Sequence, residues 1–302
     1  MPASLRSAFR FLMAAVLFAL LAGGTTAACR AADTAPMPKG LRVFSCGHSF
    51  HMFVVPILND MATAAGIQGH VIAGRSSIGG SRVMQHWDIP DEKNTAKTAL
   101  NAGTVDVLTL APIWLPEEGI EKFAKLGVEH NPAIRVTVQE YWLPNDTYEP
   151  KYPLDTRKKV DHDATDLAEL QKNQDKYDHD VDEYCRDINK RLGKDVITTV
   201  PVGQAVVALR RKIAAGEAPG LTKGWDLFRD NWGHPTAPIT VLSGYCHYAV
   251  IYRRSPVGLP MPPTFIKGTK PEWDARLNRL LQELAWEAVT HHPLSGVTAE
   301  SK

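Results

Sequence analysis

Short apolar runs alternate along the chain with longer one-sided stretches. Residues 41–45 (LRVFS), 68–73 (QGHVIA), 105–110 (VDVLTL), 134–139 (IRVTVQ) and 196–202 (VITTVPV) have the length and apolar content of buried strands. Between them, residues 50–65, 95–102, 117–126, 165–192 and 204–215 have helical character, the first closing at Gly66 and the second at Gly103. Residues 239–252 continue in a helix-like way. Residues 273–290 carry Leu277, Leu280, Leu281, Leu284 and Ala285 at the spacing of a single apolar stripe. Strands that alternate with helices predict a parallel sheet covered on both faces. The expected fold is therefore α/β, a three-layer αβα sandwich with a five-stranded, mainly parallel sheet of flavodoxin-like type. Residues 144–192 exceed a simple crossover. Polar, proline-rich residues 144–163 predict an irregular excursion ahead of the long charged helix.

The first forty residues read as a separate object. Arg6 and Arg10 precede an apolar run over residues 11–21, and small residues fill 22–28. That order is an export signal, and its apolar run is too short to span a bilayer. The reading is a signal peptide over residues 1–28, a linker over 29–40 and a single domain over 41–302. The protein is expected to be secreted or periplasmic, with no integral membrane span once the signal is removed. Cys29 follows small residues, but Thr26 stands where a lipoprotein signal usually has leucine. Cys46, Cys185 and Cys246 share no metal-ligand spacing and read as buried thiols, with Cys46–Cys246 the pair to test for a disulfide.

Of the 302 residues, 44% are hydrophobic and 22% charged, which suits one large core. The formal net charge of +1 leaves nothing to steer a polyanion, and no basic cluster suggests nucleic-acid binding.

Two segments carry chemistry. Gly47-His48-Ser49 sets a serine directly after the first strand, at the mouth of a helix. Sites in open parallel sheets lie outside the carboxyl ends of the strands, where helix-terminal N–H groups can face a developing oxyanion. A serine there is also a good helix cap. The second segment, residues 228–235 (FRDNWGHP), holds His234 in a loop punctuated by glycine and proline, with Asp230 four residues earlier. An imidazole that takes the hydroxyl proton and a carboxylate that fixes its tautomer are what a nucleophilic serine needs.

Ser49 in a G-x-S turn after strand one, with D…HP late in the chain, resembles the SGNH (GDSL-like) hydrolase superfamily over about residues 41–260. The order argues against the α/β-hydrolase fold, whose G-x-S-x-G lies well inside the chain; here the fifth motif position is His51. The resemblance implies Ser49 as nucleophile, His234 as base, and an oxyanion held by the N–H groups of Ser49 and Gly80 in the Ile78-Gly79-Gly80-Ser81 turn. It departs from the family in three places. His48 stands where Asp or Asn is usual. The segment after strand three, Leu110-Ala111-Pro112-Ile113-Trp114, lacks the family's asparagine. Asn231, not Asp230, occupies the usual D-x-x-H position. Gln139, at the end of strand four with Glu140 and Trp142, is the candidate replacement for the missing oxyanion donor.

His86 and Trp142 are candidate substrate-binding residues on the cleft, and His247 is an alternative base. Trp114, Trp142 and Trp232 could stack on sugars or pack in the core. Asp161-His162-Asp163 and Asp178-His179-Asp180 superficially suggest metal ligands. Adjacent residues on a helix point to different sides, however, so no metal site is expected, and no cofactor. The expected activity is hydrolysis of carboxylic esters, as an esterase or carbohydrate deacetylase, on small-molecule or glycan esters. The alternative is a non-catalytic ligand-binding protein on the same fold.

Overall fold

A computed structural model describes residues 36–148, 158–268 and 270–299. The predicted signal peptide, most of the linker and part of the 144–163 excursion lie outside them. Five strands, β1 (Arg42–Gly47), β2 (Val71–Ser77), β3 (Val107–Leu110), β4 (Arg135–Glu140) and β5 (Ile197–Pro201), form one parallel sheet in the order β2-β1-β3-β4-β5. This is the α/β architecture that the alternating apolar runs predict. β1, β3 and β4 are central, so side chains on both their faces are buried and they read as near-continuous apolar runs.

β2 begins three residues later than its apolar run and extends four residues beyond it, to Ser77. It is an edge strand, with Val71 and Ile72 exposed. Its apolar content is thus a poor guide to its limits. A side chain at Gly74 would meet the Phe44 ring at 2.4 Å, so only glycine lets β2 lie against β1 there.

The helices are α1 (Val54–Ala64), α2 (Val83–Trp87), α3 (Thr95–Asn101), α4 (Glu118–His130), α5 (Leu167–Leu192), α6 (Val202–Ala214), α7 (Ala237–Tyr252), α8 (Pro263–Gly268) and α9 (Ala275–His291). The short helices α2 and α8 leave no periodic signature and are absent from the sequence reading. Helix α5 starts on the Asp166 side chain, which accepts from the amides of Ala168 and Glu169, and stops at Gly193 with φ +65°. Strand alternation separates the two faces of the sheet. The side chain of Gln139 meets the turn leading into α1, whereas Thr199 of β5 bonds Asp182 on α5, across the other face. Helix α7 packs on α1 and α9 and is buried nearly all round. Cys46, Cys185 and Cys246 are buried free thiols. Among the described residues, no helix is long and apolar enough to cross a membrane.

Candidate active site

β1 ends at Gly47, and the chain turns at once. The amides of His51 and Met52 both donate to the His48 carbonyl at 2.9 Å. A side chain on Gly47 would sit 2.6 Å from the His51 ring, so glycine makes room for this fold-back. The turn is clamped from below. Gln139 donates its amide to the Phe50 carbonyl at 3.0 Å and accepts from His51 Nδ1 at 2.8 Å, while Thr109 Oγ1 lies 3.2 Å from His51 Nε2. Burial holds His51 down at about 4, so it is neutral, with its proton on Nδ1 and its Nε2 accepting from Thr109. The ends of β3 and β4 therefore fix Ser49 through its neighbours.

The second segment forms a closed loop. Phe228 and Pro235 bridge antiparallel, Arg229 donates to the His234 carbonyl at 2.9 Å, and Gly233 adopts φ +86°. Ser49 Oγ lies 2.9 Å from His234 Nε2, and His234 Nδ1 lies 2.7 Å from Asp230 Oδ2. Asp230 Oδ1 also accepts from the amides of Trp232 and His234, each at 3.1 Å. Burial pushes the Asp230 carboxyl up, but these backbone bonds and the imidazole outweigh it and hold the group below its ordinary value. An ionised Asp230 only accepts, so the proton sits on His234 Nδ1. His234 Nε2 is then the acceptor that faces the Ser49 hydroxyl. Asn231 points elsewhere, accepting from the Val160 amide at 3.2 Å. The imidazole pairs with Asp230 despite its four-residue spacing.

Several residues expected at the cleft serve as supports instead. Gln139 is fully buried with its amide spent on Phe50, so it cannot face an oxyanion. Trp142 is buried: it stacks on Phe50 with ring centroids 4.6 Å apart and donates to the Gly233 carbonyl at 2.8 Å. It braces the His234 loop and has no ring face free for a sugar. Trp114 is also buried, while Trp232 is partly exposed. His86 is 1% exposed and bridges Ser76 Oγ at 2.7 Å and Ser81 Oγ at 2.8 Å. Burial lowers its pKa to about 4, so it is a neutral pin across the Ile78–Ser81 turn, not a cleft residue. His247 is buried on α7 and donates from Nδ1 to the Ser243 carbonyl, which leaves it no role beside Ser49.

The Ile78–Ser81 turn itself lies beside Ser49, since the Ile78 amide donates to the Gly47 carbonyl at 3.2 Å. Gly80 is exposed at φ +60°, with no atom within 4 Å of where a side chain would begin. Buried Glu117 supports this side by accepting from the amides of Val83 and Met84, at the start of the helix that carries His86. His48 is buried; its Nδ1 accepts from the Phe50 amide and its Nε2 has no partner among the described residues.

No family model and no curated protein matches the chain. Among solved structures, a DUF4886 family protein from Bacteroides uniformis is similar with a TM-score of 0.52 at 14% identity, over 86% of this chain and 98% of that one. A putative GDSL-like lipase from Parabacteroides merdae gives 0.40 at 13% identity, over 70% of this chain and 95% of that one. An extracellular lipase from Streptomyces rimosus gives 0.37 at 14% identity, over 70% and 100%. At 14% identity the first of these is a likeness of fold alone.

Sequence reasoning missed the outer supports of the His234 loop. His162, from the triplet that suggested a metal, lies with Nε2 3.0 Å from the Asp230 carbonyl and Nδ1 2.9 Å from Asp146. Asp146 is in turn gripped by Arg210 at 2.6 and 3.0 Å. An Asp-His-Asp triplet carries no signal for such a role, because its partners lie 16 and 68 residues away.

Proposed function

We propose that this chain is a serine hydrolase that cleaves carboxylic esters, an esterase or carbohydrate deacetylase, through Ser49, His234 and Asp230. The observation that carries the reading is the continuous path from Ser49 Oγ through both nitrogens of His234 to Asp230, at 2.9 and 2.7 Å. These distances lie within the reach that proton transfer requires. As Ser49 Oγ attacks the ester carbonyl carbon, its proton passes to His234 Nε2. The imidazolium so formed is balanced by the Asp230 carboxylate. The carbonyl oxygen becomes an oxyanion beside the N–H groups of Ser49 and Gly80. Collapse expels the alcohol, which takes the proton from Nε2 and leaves an acyl-Ser49. Water then attacks, giving its proton to Nε2, and the acid departs as Ser49 Oγ is reprotonated. No cofactor enters this sequence. The substrates proposed are small-molecule or glycan esters outside the cytoplasm, in line with the export signal read over residues 1–28.

The absence of an asparagine after β3 favours a second reading, a ligand-binding protein without turnover. A fluorophosphonate probe separates the two. Labelling of the wild type and not of Ser49→Ala supports the hydrolase. A wild type that stays unlabelled and hydrolyses no member of an ester panel leaves the binding protein.

A further inference from the structure

A second polar centre lies on the opposite face of the sheet. After α9 the chain rounds the β5 edge, and the Thr199 amide donates to the Leu294 carbonyl at 3.0 Å. This brings His292 against α5 and the end of β4. His292 Nε2 lies 2.8 Å from Thr199 Oγ1, 3.2 Å from Asp182 Oδ1 and 3.4 Å from Glu140 Oε1. One nitrogen thus faces three oxygens, and it has at most one proton to share among them. Glu140 is 0% exposed, yet among the described residues neither of its carboxylate oxygens accepts a hydrogen bond, and the 3.4 Å contact to His292 is its one ion pair there. A buried carboxyl left in that state is costly, and natural proteins give such a group a cation or a donor.

We infer that Glu140, Asp182 and His292 form a zinc site. Their ligand atoms all lie within 4.8 Å of one another. Ligands bound tetrahedrally at about 2.0–2.1 Å stand about 3.3 Å apart, close to the two nitrogen–carboxylate separations here. One imidazole and two carboxylates suit Zn²⁺ better than Ca²⁺ or Mg²⁺, which take oxygen ligands. Two carboxylates and a neutral imidazole would also balance the charge of the ion. The Thr199 hydroxyl donates to Asp182 Oδ1 at 3.0 Å and orients that ligand. A surface groove of about 390 Å³, lined by Asp175, Gln204, Glu287 and His292 among others, reaches the outermost of the three ligands. Bound there, zinc would staple the segment after α9 to α5 and to the end of β4, and act on stability rather than on Ser49.

The test uses the full chain, stripped with a chelator and titrated with zinc sulfate by calorimetry and thermal melting. One equivalent of zinc should bind, and a hundredfold excess over Kd should raise Tm by about 5–10 °C. Glu140→Gln and His292→Ala should lose both the binding and the shift, whereas His291→Ala, at an exposed neighbour, should keep them. Glu140→Gln also discriminates directly. In the chelated proteins it removes only the 3.4 Å contact of Glu140 with His292, and the two melting points set that baseline. With zinc present it should melt lower than the wild type. A wild type with no saturable equivalent and no Tm response overturns the site, as does unchanged binding in Glu140→Gln.

Discussion

Trp142 donates its indole N–H to the carbonyl of Gly233, 2.8 Å away, so the residue two places beyond β4 holds the loop that presents His234 to Ser49. Phe50, next to Ser49, stacks on the same indole and meets the His234 ring edge-on at 5.3 Å. The nucleophile's turn and the base's loop are thus packed on one buried aromatic pair. Trp142→Phe keeps a ring and removes the donor. It should destabilise the fold by about 1–3 kcal/mol, because the Gly233 carbonyl loses its partner. It should also lower kcat without abolishing activity. Urea unfolding together with ester kinetics checks both effects.

Asp230 and Asn231 compete on paper for the role of orienting acid. Because Asp230 faces His234 Nδ1 and Asn231 faces Val160, Asp230→Asn should cost kcat roughly 10²–10⁴-fold. Asn231→Ala should stay within a few-fold of wild type. Equal losses in the two variants would contradict the pairing.

His86 spans the turn that carries Gly80. His86→Ala leaves the Ser76 and Ser81 hydroxyls without their ring partner and frees the turn. An oxyanion contact strengthens in the transition state, so kcat should fall about tenfold or more while KM changes little. A rise in KM at constant kcat would assign His86 to substrate binding instead.

Stability should depend on pH through histidines that the fold keeps neutral. Burial lowers His51 and His86 to about 4 and His48 and His247 to about 3. Each takes up a proton near pH 6.5 in the unfolded chain but not in the fold, so acid favours unfolding and stability rises with pH across about pH 4–6.5. Fully buried His247 alone should contribute about 3 kcal/mol of that loss on going from pH 6.5 to 4. His247→Gln keeps a donor for the Ser243 carbonyl and removes one titrating ring. Its urea midpoint should fall less steeply with acid than that of the wild type; parallel curves would refute this.

Hydrophobic patterning is local, and it sufficed for the parallel sheet and the main helices. Residues 41–45 and 105–110 read as buried strands, and the sheet order makes both central, where their apolar side chains have cover on both faces. A G-x-S turn after such a strand puts its serine at the carboxyl edge of the sheet. The partners of polar side chains were decided only by tertiary packing. Whether Asp230 or Asn231 meets the imidazole depends on how a loop closes between Phe228 and Pro235. Gln139 and Glu140 are adjacent in the same strand, yet alternation sends one beneath Ser49 and the other across the sheet towards His292. Gln139, His86 and Trp142 became supports because each is buried, and a buried polar group bonds to what the fold brings near it. A hydrogen bond acts over about 3 Å, while the chain between its ends can run to 88 residues, as from His51 to Gln139, or 185, as from Ser49 to His234. Spacing along the sequence holds no record of such pairs until the sheet order brings them together.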